Sequence, residues 1–484
     1  MYLQDNMLAP HPPARVRLLW MRRRGKVGNR LLITTFLVLA LASLHVGLSL
    51  RIGSRELFPY VGTFLSGVML ITLCRATIKL KSVAWLGLFF LIASLTSFGS
   101  FAIHAAPGET FGAQARGLLA LGAALTSGYG TFLGLRALGR IRAAKLFWYL
   151  WLFIVVFSFL EVYGGLRPLS DMVREGLRPD RWLYELDLRD VDRYGALRPK
   201  VFAPEPSIVG YTAGLCLSAW FILGLRRRQW HRLVEFVLMA GITWFFVRSP
   251  AMVACLAAGV LAIPFHVFGR GHFITFRKLR GQAHPILAFL TLLGVVGIAI
   301  ASVSASTYWG EEIGFFGTGS FFIRQVAPML TEVEVLKQHL LLGTGVNGDH
   351  LLFPIVEQVY VENSAFIRFP HLFDMPVDIL ITNAFFSYWH ALGLLGGGLG
   401  MLALYYFSMS TRALPMFVLA GTAVAIHAVG GMNNPRTWMI FFVLTAASSL
   451  AAPRFITLVP TELPPEPPPG PSVEPARRRH LSPV

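Results

Sequence analysis

Cysteine is nearly absent from this chain: three in 484 residues. Cys74, Cys216 and Cys255 all fall inside apolar runs, so no loop can be stapled by a disulfide and no thiolate metal cluster can form. Charge is also scarce, at 14% of residues against about a quarter in ordinary soluble proteins. The charge present is lopsided, with 43 Lys and Arg against 25 Asp and Glu and a net charge of +18. A nucleotide motif is missing. Residues 343–348, GTGVNG, have GxGxxG spacing, but they follow a helical pattern where a dinucleotide site needs a strand. Those glycines are expected to end the helix and turn the chain. His339, Asp349, His350 and His371 lack the spacing of a metal set. No internal repeat is evident.

What the chain has is hydrophobic length, with 55% of its residues hydrophobic. Twelve apolar intervals approach the roughly 20 residues that a bilayer core requires. They are 31–50, 59–74, 82–103, 113–135, 146–163, 206–225, 233–247, 250–268, 284–306, 382–408, 413–430 and 437–453. The expected fold is an all-α polytopic membrane protein with about 12 transmembrane helices. With the amino terminus inside, the cytoplasmic connections collect 27 of the 43 Lys and Arg. Both termini are therefore expected in the cytoplasm. The basic charge then expresses topology and requires no nucleic-acid partner. The arm 1–30, with Arg22, Arg23, Arg24, Lys26 and Arg30, is expected to be flexible or to lie on the lipid surface. It leads into a single domain, 31–456. The tail 457–484 is proline-rich and expected to be disordered.

Two long polar loops then face outward, 164–205 and 307–382. The second carries three Lys and Arg against nine Asp and Glu, and a loop of that length is usually functional or disordered. The first balances eight cations, seven of them arginine, against eight acids. Most of these fit a helical hairpin laced by ion pairs. Arg198 stands apart because it leads into RPKVFAPEPS, where Pro204 and Pro206 start a helix with Glu205 and Ser207 in its first turn. A helix amino terminus is an anion site, and Glu205 beside it is a candidate proton acceptor. Arg116 lies one turn inside the fourth interval and Glu161 closes the fifth. Arg248 stands at a hairpin tip before Ser249, Arg324 in SFFIRQ, and Arg436 in the tight turn GMNNPRTW. Arginine suits phosphate contact.

Four pieces of the chain resemble the O-antigen polymerase and ligase superfamily of membrane glycosyltransferases. They are EPS at 205–207 after an arginine, Arg248 with Ser249, Arg324 followed by HLLLGTGVN, and Asn383 with ALGLLG at 391–396. The resemblance implies a GT-C-like fold in the bacterial inner membrane, with outer loops over a periplasm-facing cavity. It implies a metal-independent, inverting transfer with no cofactor, between oligosaccharides linked to polyprenyl pyrophosphate. A chain-length-regulating co-polymerase and a flippase are the implied partners. On this reading Glu205, Arg248 and Arg324 are catalytic, and Arg116, Arg198, Ser207, Asn383 and Arg436 bind substrate. In ligases of the superfamily a histidine precedes the Asn-led span. Here Thr382 stands in that place, which favours a Wzy-type polymerase. The alternatives are a ligase acting on lipid A core and a transporter of lipid-linked sugars.

Overall fold

A computed structural model describes residues 14–52, 55–58, 60–105, 110–177, 190–191, 195–224, 230–272, 322–373 and 375–451. These belong to one compact unit, Met1–Ala452. It is helical apart from a two-strand antiparallel hairpin, β1 Leu50–Ile52 and β2 Arg55–Phe58. In chain order the helices are α1 Ala14–Val46, α2 Val61–Leu73, α3 Leu80–His104, α4 Gly112–Leu138, α5 Arg140–Val162, α6 Arg167–Leu177, α7 Pro206–Gly224, α8 Trp230–Val247 and α9 Pro250–His272. After a π turn at Phe322–Val326 come α10 Ala327–Gln338, α11 Asp349–Glu362, α12 Ala365–Arg368, α13 Val377–Leu380, α14 Ala384–Ser410, α15 Pro415–Ala425 and α16 Pro435–Ala451.

Eleven of the twelve expected apolar intervals fall on these helices; 284–306 lies outside the described residues. Among the described residues, six helices are long and apolar enough to cross a membrane: the Asn29–Val46 part of α1, α3, α4, α5, α7 and α14. Val61–Leu73, Pro250–Ala262 and Pro415–Ala425 are apolar but shorter. The arm differs from expectation, since α1 begins at Ala14 and runs unbroken into the first interval. Its Arg, Leu, Met and Lys residues are good helix formers, and Gly25 and Gly28 do not outweigh them.

The bundle packs through small residues, as helices in an apolar solvent must. A Cβ on Gly130 would lie 2.2 Å from the Gly67 carbonyl oxygen, one on Gly128 would meet Phe442, and one on Gly210 would meet Ser249. The central helices α7 and α16 are buried along nearly their whole length. Leucines such as Leu91, Leu95 and Leu119 project outward, as a lipid-facing surface requires.

Between the π turn and α14 the chain builds a cap with its own core, in which Phe322, Val335, Val356, Tyr360 and Leu380 pack together. The Tyr360 hydroxyl donates to the Leu380 carbonyl at 2.6 Å. Of the expected polar loop 307–382, residues 307–321 lie outside the described residues, and the described part from Phe322 on is a folded helical unit.

The cap enters the bundle through a break in α14. At Gly393, φ is 62° and ψ −173°, so the helix stops and restarts. The segment 340–345 threads the gap. Thr344 and Gly345 donate to the carbonyls of His390 and Ala391 at 2.8 and 3.0 Å, while Leu394 and Leu395 donate to the carbonyls of Leu340 and Leu341 at 2.9 and 3.2 Å. Ser100 Oγ donates to the Gly343 carbonyl, Val346 N donates to Ser97 Oγ, and Asn347 Nδ2 donates to the Ala113 carbonyl. Irregular backbone survives in an apolar bundle only when its polar groups are met by protein in this way. The two glycine runs read from the sequence as a turn and as packing positions thus interlock.

Candidate functional site

The expected site residues lie in three settings. The first is the start of α7. Val201 and Phe202 precede it with φ of 42° and 64°, a left-handed conformation that β-branched and bulky residues adopt only when surroundings enforce it. Glu161 supplies much of the enforcement. Its buried carboxylate accepts Lys200 N at 2.9 Å, Val201 N at 2.6 Å and Arg167 Nη1 at 3.2 Å. Ser170 Oγ accepts Phe202 N at 3.1 Å, and His45 Nε2 donates to the Val201 carbonyl at 2.8 Å. This anchoring aims Pro204-Glu205-Pro206 into α7. Glu205 and Ser207 are half-buried, and neither side chain has a hydrogen-bond partner among the described residues. Glu161→Ala should destabilise the protein by about 3–5 kcal/mol, because buried donors lose their acceptor. Glu205→Ala should change stability by less than about 0.5 kcal/mol. Thermal unfolding in detergent compares the two.

Arg198 does not stand apart from the ionic lacing as the sequence suggested. It is buried, and its Nη2 and Nε lie 2.8 and 2.9 Å from Asp190 Oδ1, so it is held within that loop. Arg174 pairs with Asp171 and donates to the Pro204 carbonyl. Lys200 Nζ reaches Asp171 at 3.4 Å.

Arg248 and Arg436 flank the first turns of α7. Arg248 has φ 47°, donates from Nε to the Phe245 carbonyl at 3.1 Å and lies 5.7 Å from the Phe245 ring centroid. The Ser249 that follows it sits against Gly210 of α7. On another side of α7, Tyr211 donates to the Arg436 carbonyl at 2.9 Å. The Arg436 guanidinium lies 5.2 Å from the Tyr60 ring centroid. Its Nε is enclosed without a hydrogen-bond partner among the described residues, and the side chain has no carboxylate partner there. Arg116, near the start of α4, is exposed and donates to the Gly112 carbonyl at 3.3 Å.

The third setting joins the cap to α14. Asn383 is fully buried, and as the N-cap of α14 its Oδ1 accepts Phe385 N and Phe386 N. Its Nδ2 donates to the Arg324 carbonyl at 2.6 Å and lies 3.1 Å from His427 Nδ1. Asn383 thus ties the start of α14 to the main chain of Arg324. The half-buried Arg324 side chain has no ion pair among the described residues. Seven residues on, His390 Nε2 donates to the Pro328 carbonyl at 3.2 Å and lies 3.1 Å from Glu332 Oε2.

Sequence reading missed Glu332 and His427, and it read His390 as a packing residue. The available signal was the i, i+4, i+7 spacing of Asn383, Ser387 and His390, which puts polar groups on one face of an apolar helix. Burial pushes the Glu332 carboxyl up to about 7. A carboxyl raised in the folded state favours folding most when protonated, below its unfolded value of about 4.3. Stability is then lost as pH rises toward 7 and is level above it. Melting should therefore fall between pH 4.5 and 7.5 by on the order of 3 kcal/mol. Glu332→Gln should flatten that slope, with the wild type as reference.

The helices and the apolar exterior define a helical membrane protein. Comparisons with protein families, with characterised proteins and with solved structures return no match to this chain.

Proposed function

We propose that the protein is a polysaccharide polymerase that joins oligosaccharide repeat units carried on polyprenyl diphosphate. In this reading all twelve intervals span the bacterial inner membrane in a GT-C-like arrangement, and the capped end of the bundle faces the periplasm. The observation that carries the reading is that Arg324 and Arg436, two guanidiniums without carboxylate partners among the described residues, belong to the capped end of an apolar bundle. Charge left unpaired in such surroundings is costly and marks a place for an anion. Arg248, in strained backbone, belongs to the same end.

The reaction then needs little else. A hydroxyl on the incoming repeat unit attacks the anomeric carbon of the growing glycan from the face opposite the diphosphate. The new C–O bond forms as the bond to the diphosphate oxygen breaks, and the configuration inverts. Negative charge grows on the departing lipid diphosphate, where preorganised cations lower the barrier. Glu205, unpaired at the start of α7, takes the hydroxyl proton. The activated phosphoester supplies the driving force.

The test gives the purified protein in nanodiscs a lipid-diphosphate-linked repeat unit, without nucleotide, and resolves the products by size. A ladder is the expected result. A single transfer that requires lipid A core would identify a ligase, and movement of intact substrate across liposomes without bond formation would identify a transporter. The break in α14 does not favour transport, because the threaded segment 340–345 satisfies both half-helix ends.

A further inference from the structure

Three helices run from the cap to the far end of the bundle. His104 of α3 meets His339 with ring centroids 4.5 Å apart, Asn347 Nδ2 donates to the Ala113 carbonyl of α4, and Asn383 caps α14. At the far end each brings a cation: Lys79 directly before α3, Arg136 in the last turn of α4 and Arg412 just after α14. The three are close enough for their charges to act on one another. Lys79 and Arg136 are half-buried and Arg412 is exposed, so the cluster reaches from the interior of the bundle to its surface.

No carboxylate balances these charges among the described residues. The connections 74–79 and 411–414 contain no Asp or Glu, and neither do α2, α3, α4, α14, α15 or α16. Cations near helix ends ordinarily serve the last carbonyls. At α14 the chain meets that need itself. The Phe407 carbonyl accepts Thr411 N and Ser410 Oγ, the Ser408 carbonyl accepts Ala413 N and Thr411 Oγ1, the Met409 carbonyl accepts Arg412 N, and the Thr411 carbonyl accepts Ser449 Oγ. Lys79 Nζ reaches the Ser410 carbonyl only at 3.5 Å, and the Arg136 guanidinium lies 5.4 Å from the Phe132 ring centroid. Burial, with the charges of Arg136 and Arg412, holds the Lys79 ammonium below the ordinary lysine value, as happens where cations crowd without an anion.

The surface beside the cluster is apolar. Leu80 and Val83 of α3 and Met409 of α14 are exposed, and Trp85 stacks on Tyr406 with ring centroids 4.7 Å apart. Tryptophan and tyrosine favour the boundary between hydrocarbon and headgroups. Unbalanced cations beside a strip of exposed hydrocarbon suit an anion that carries acyl chains. We infer that Lys79, Arg136 and Arg412 hold the phosphate of an anionic phospholipid whose chains lie along the seam between α3 and α14. The guanidiniums offer paired donors to the phosphate oxygens, and Lys79 adds a point charge. The site is independent of the polymerase reading and requires only that the bundle sits in a membrane.

The experiment is native mass spectrometry of the full-length, delipidated protein in detergent, titrated with dioleoyl phosphatidylglycerol or dioleoyl phosphatidylcholine. One phosphatidylglycerol should bind at least about fivefold tighter than phosphatidylcholine. Lys79→Gln, Arg136→Gln and Arg412→Gln should each weaken it about fivefold, the effect of one basic residue at an anionic lipid surface. Arg412 is exposed, so its variant reads the site even where Arg136→Gln disturbs the packing over Phe132. Arg142→Gln removes an exposed cation at the same end of the bundle, outside the cluster, and should leave binding unchanged. Glycerophosphoglycerol, the same head without chains, should not displace the lipid at equal concentration. Equal affinity for the two lipids, cluster variants that bind like the wild type, or a loss in Arg142→Gln as large as theirs would overturn the inference. Displacement by the head alone would overturn it too, and would assign the cations to a soluble phosphate.

Discussion

Gly343→Ala is expected to collapse the junction between cap and bundle, with a loss of stability of at least about 3–5 kcal/mol, on the scale of severe core lesions. Two effects add. Gly343 has φ 65°, where a side chain costs roughly 1–2 kcal/mol. A Cβ there would also lie 2.2 Å from the His390 carbonyl oxygen and 2.6 Å from Gly393 N. These contacts are to backbone, so neither can rotate away. Relief requires withdrawing segment 340–345 from the break, and that strips the carbonyls of His390 and Ala391 and the amides of Leu394 and Leu395 of their partners. Buried backbone groups without partners are penalised individually. The control is Gly398→Ala on the same helix, where nothing lies within 4 Å of the new Cβ. It should be neutral or slightly stabilising, since alanine favours helix over glycine by roughly 1 kcal/mol. Fluorescence-detected melting in detergent compares the pair.

Arg324→Ala is expected to lower polymer formation by about 10²–10³-fold, the effect typical of removing one preorganised charge-stabilising donor. The melting temperature should stay near that of the wild type, because the Arg324 side chain pairs with nothing among the described residues. Arg324→Lys should recover part of the loss, since lysine restores the charge without the planar fork. Asn383→Ala gives a different signature. It removes the cap of α14, worth about 1 kcal/mol, and releases the Arg324 carbonyl and His427 together. Both melting and activity should fall. Steady-state ladder assays alongside melting curves check all three.

The sequence carried the helices well because a run of apolar residues near 20 long leaves few other outcomes. Proline at the start of α7 made that boundary readable, whereas Pro415 and Pro435 start α15 and α16 two residues away from the interval limits at 413 and 437. It carried Arg324, Arg248 and Arg436 as candidates because arginine next to an apolar span is costly wherever it sits. It misjudged Arg198, since the partner Asp190 lies eight residues back across a turn that no periodicity reveals. The interlock at Gly393 was also hidden. Two glycine runs 50 residues apart, at 343 and 393, each had an ordinary local explanation, and only the fold brings one into the other's gap. Glu332 and His427 escaped for a related reason: each acquires its role from a neighbour distant in sequence, His390 for one and Asn383 for the other.

The central claim is that this chain forms glycosidic bonds at the expense of a lipid diphosphate ester. It is tested most directly by counting both products of one reaction, with purified protein and a defined lipid-linked repeat unit. One polyprenyl diphosphate released for each new glycosidic linkage, with the new linkage inverted, is the predicted result. Release of lipid diphosphate without new linkages, or loss of substrate from one leaflet with neither product, would contradict it.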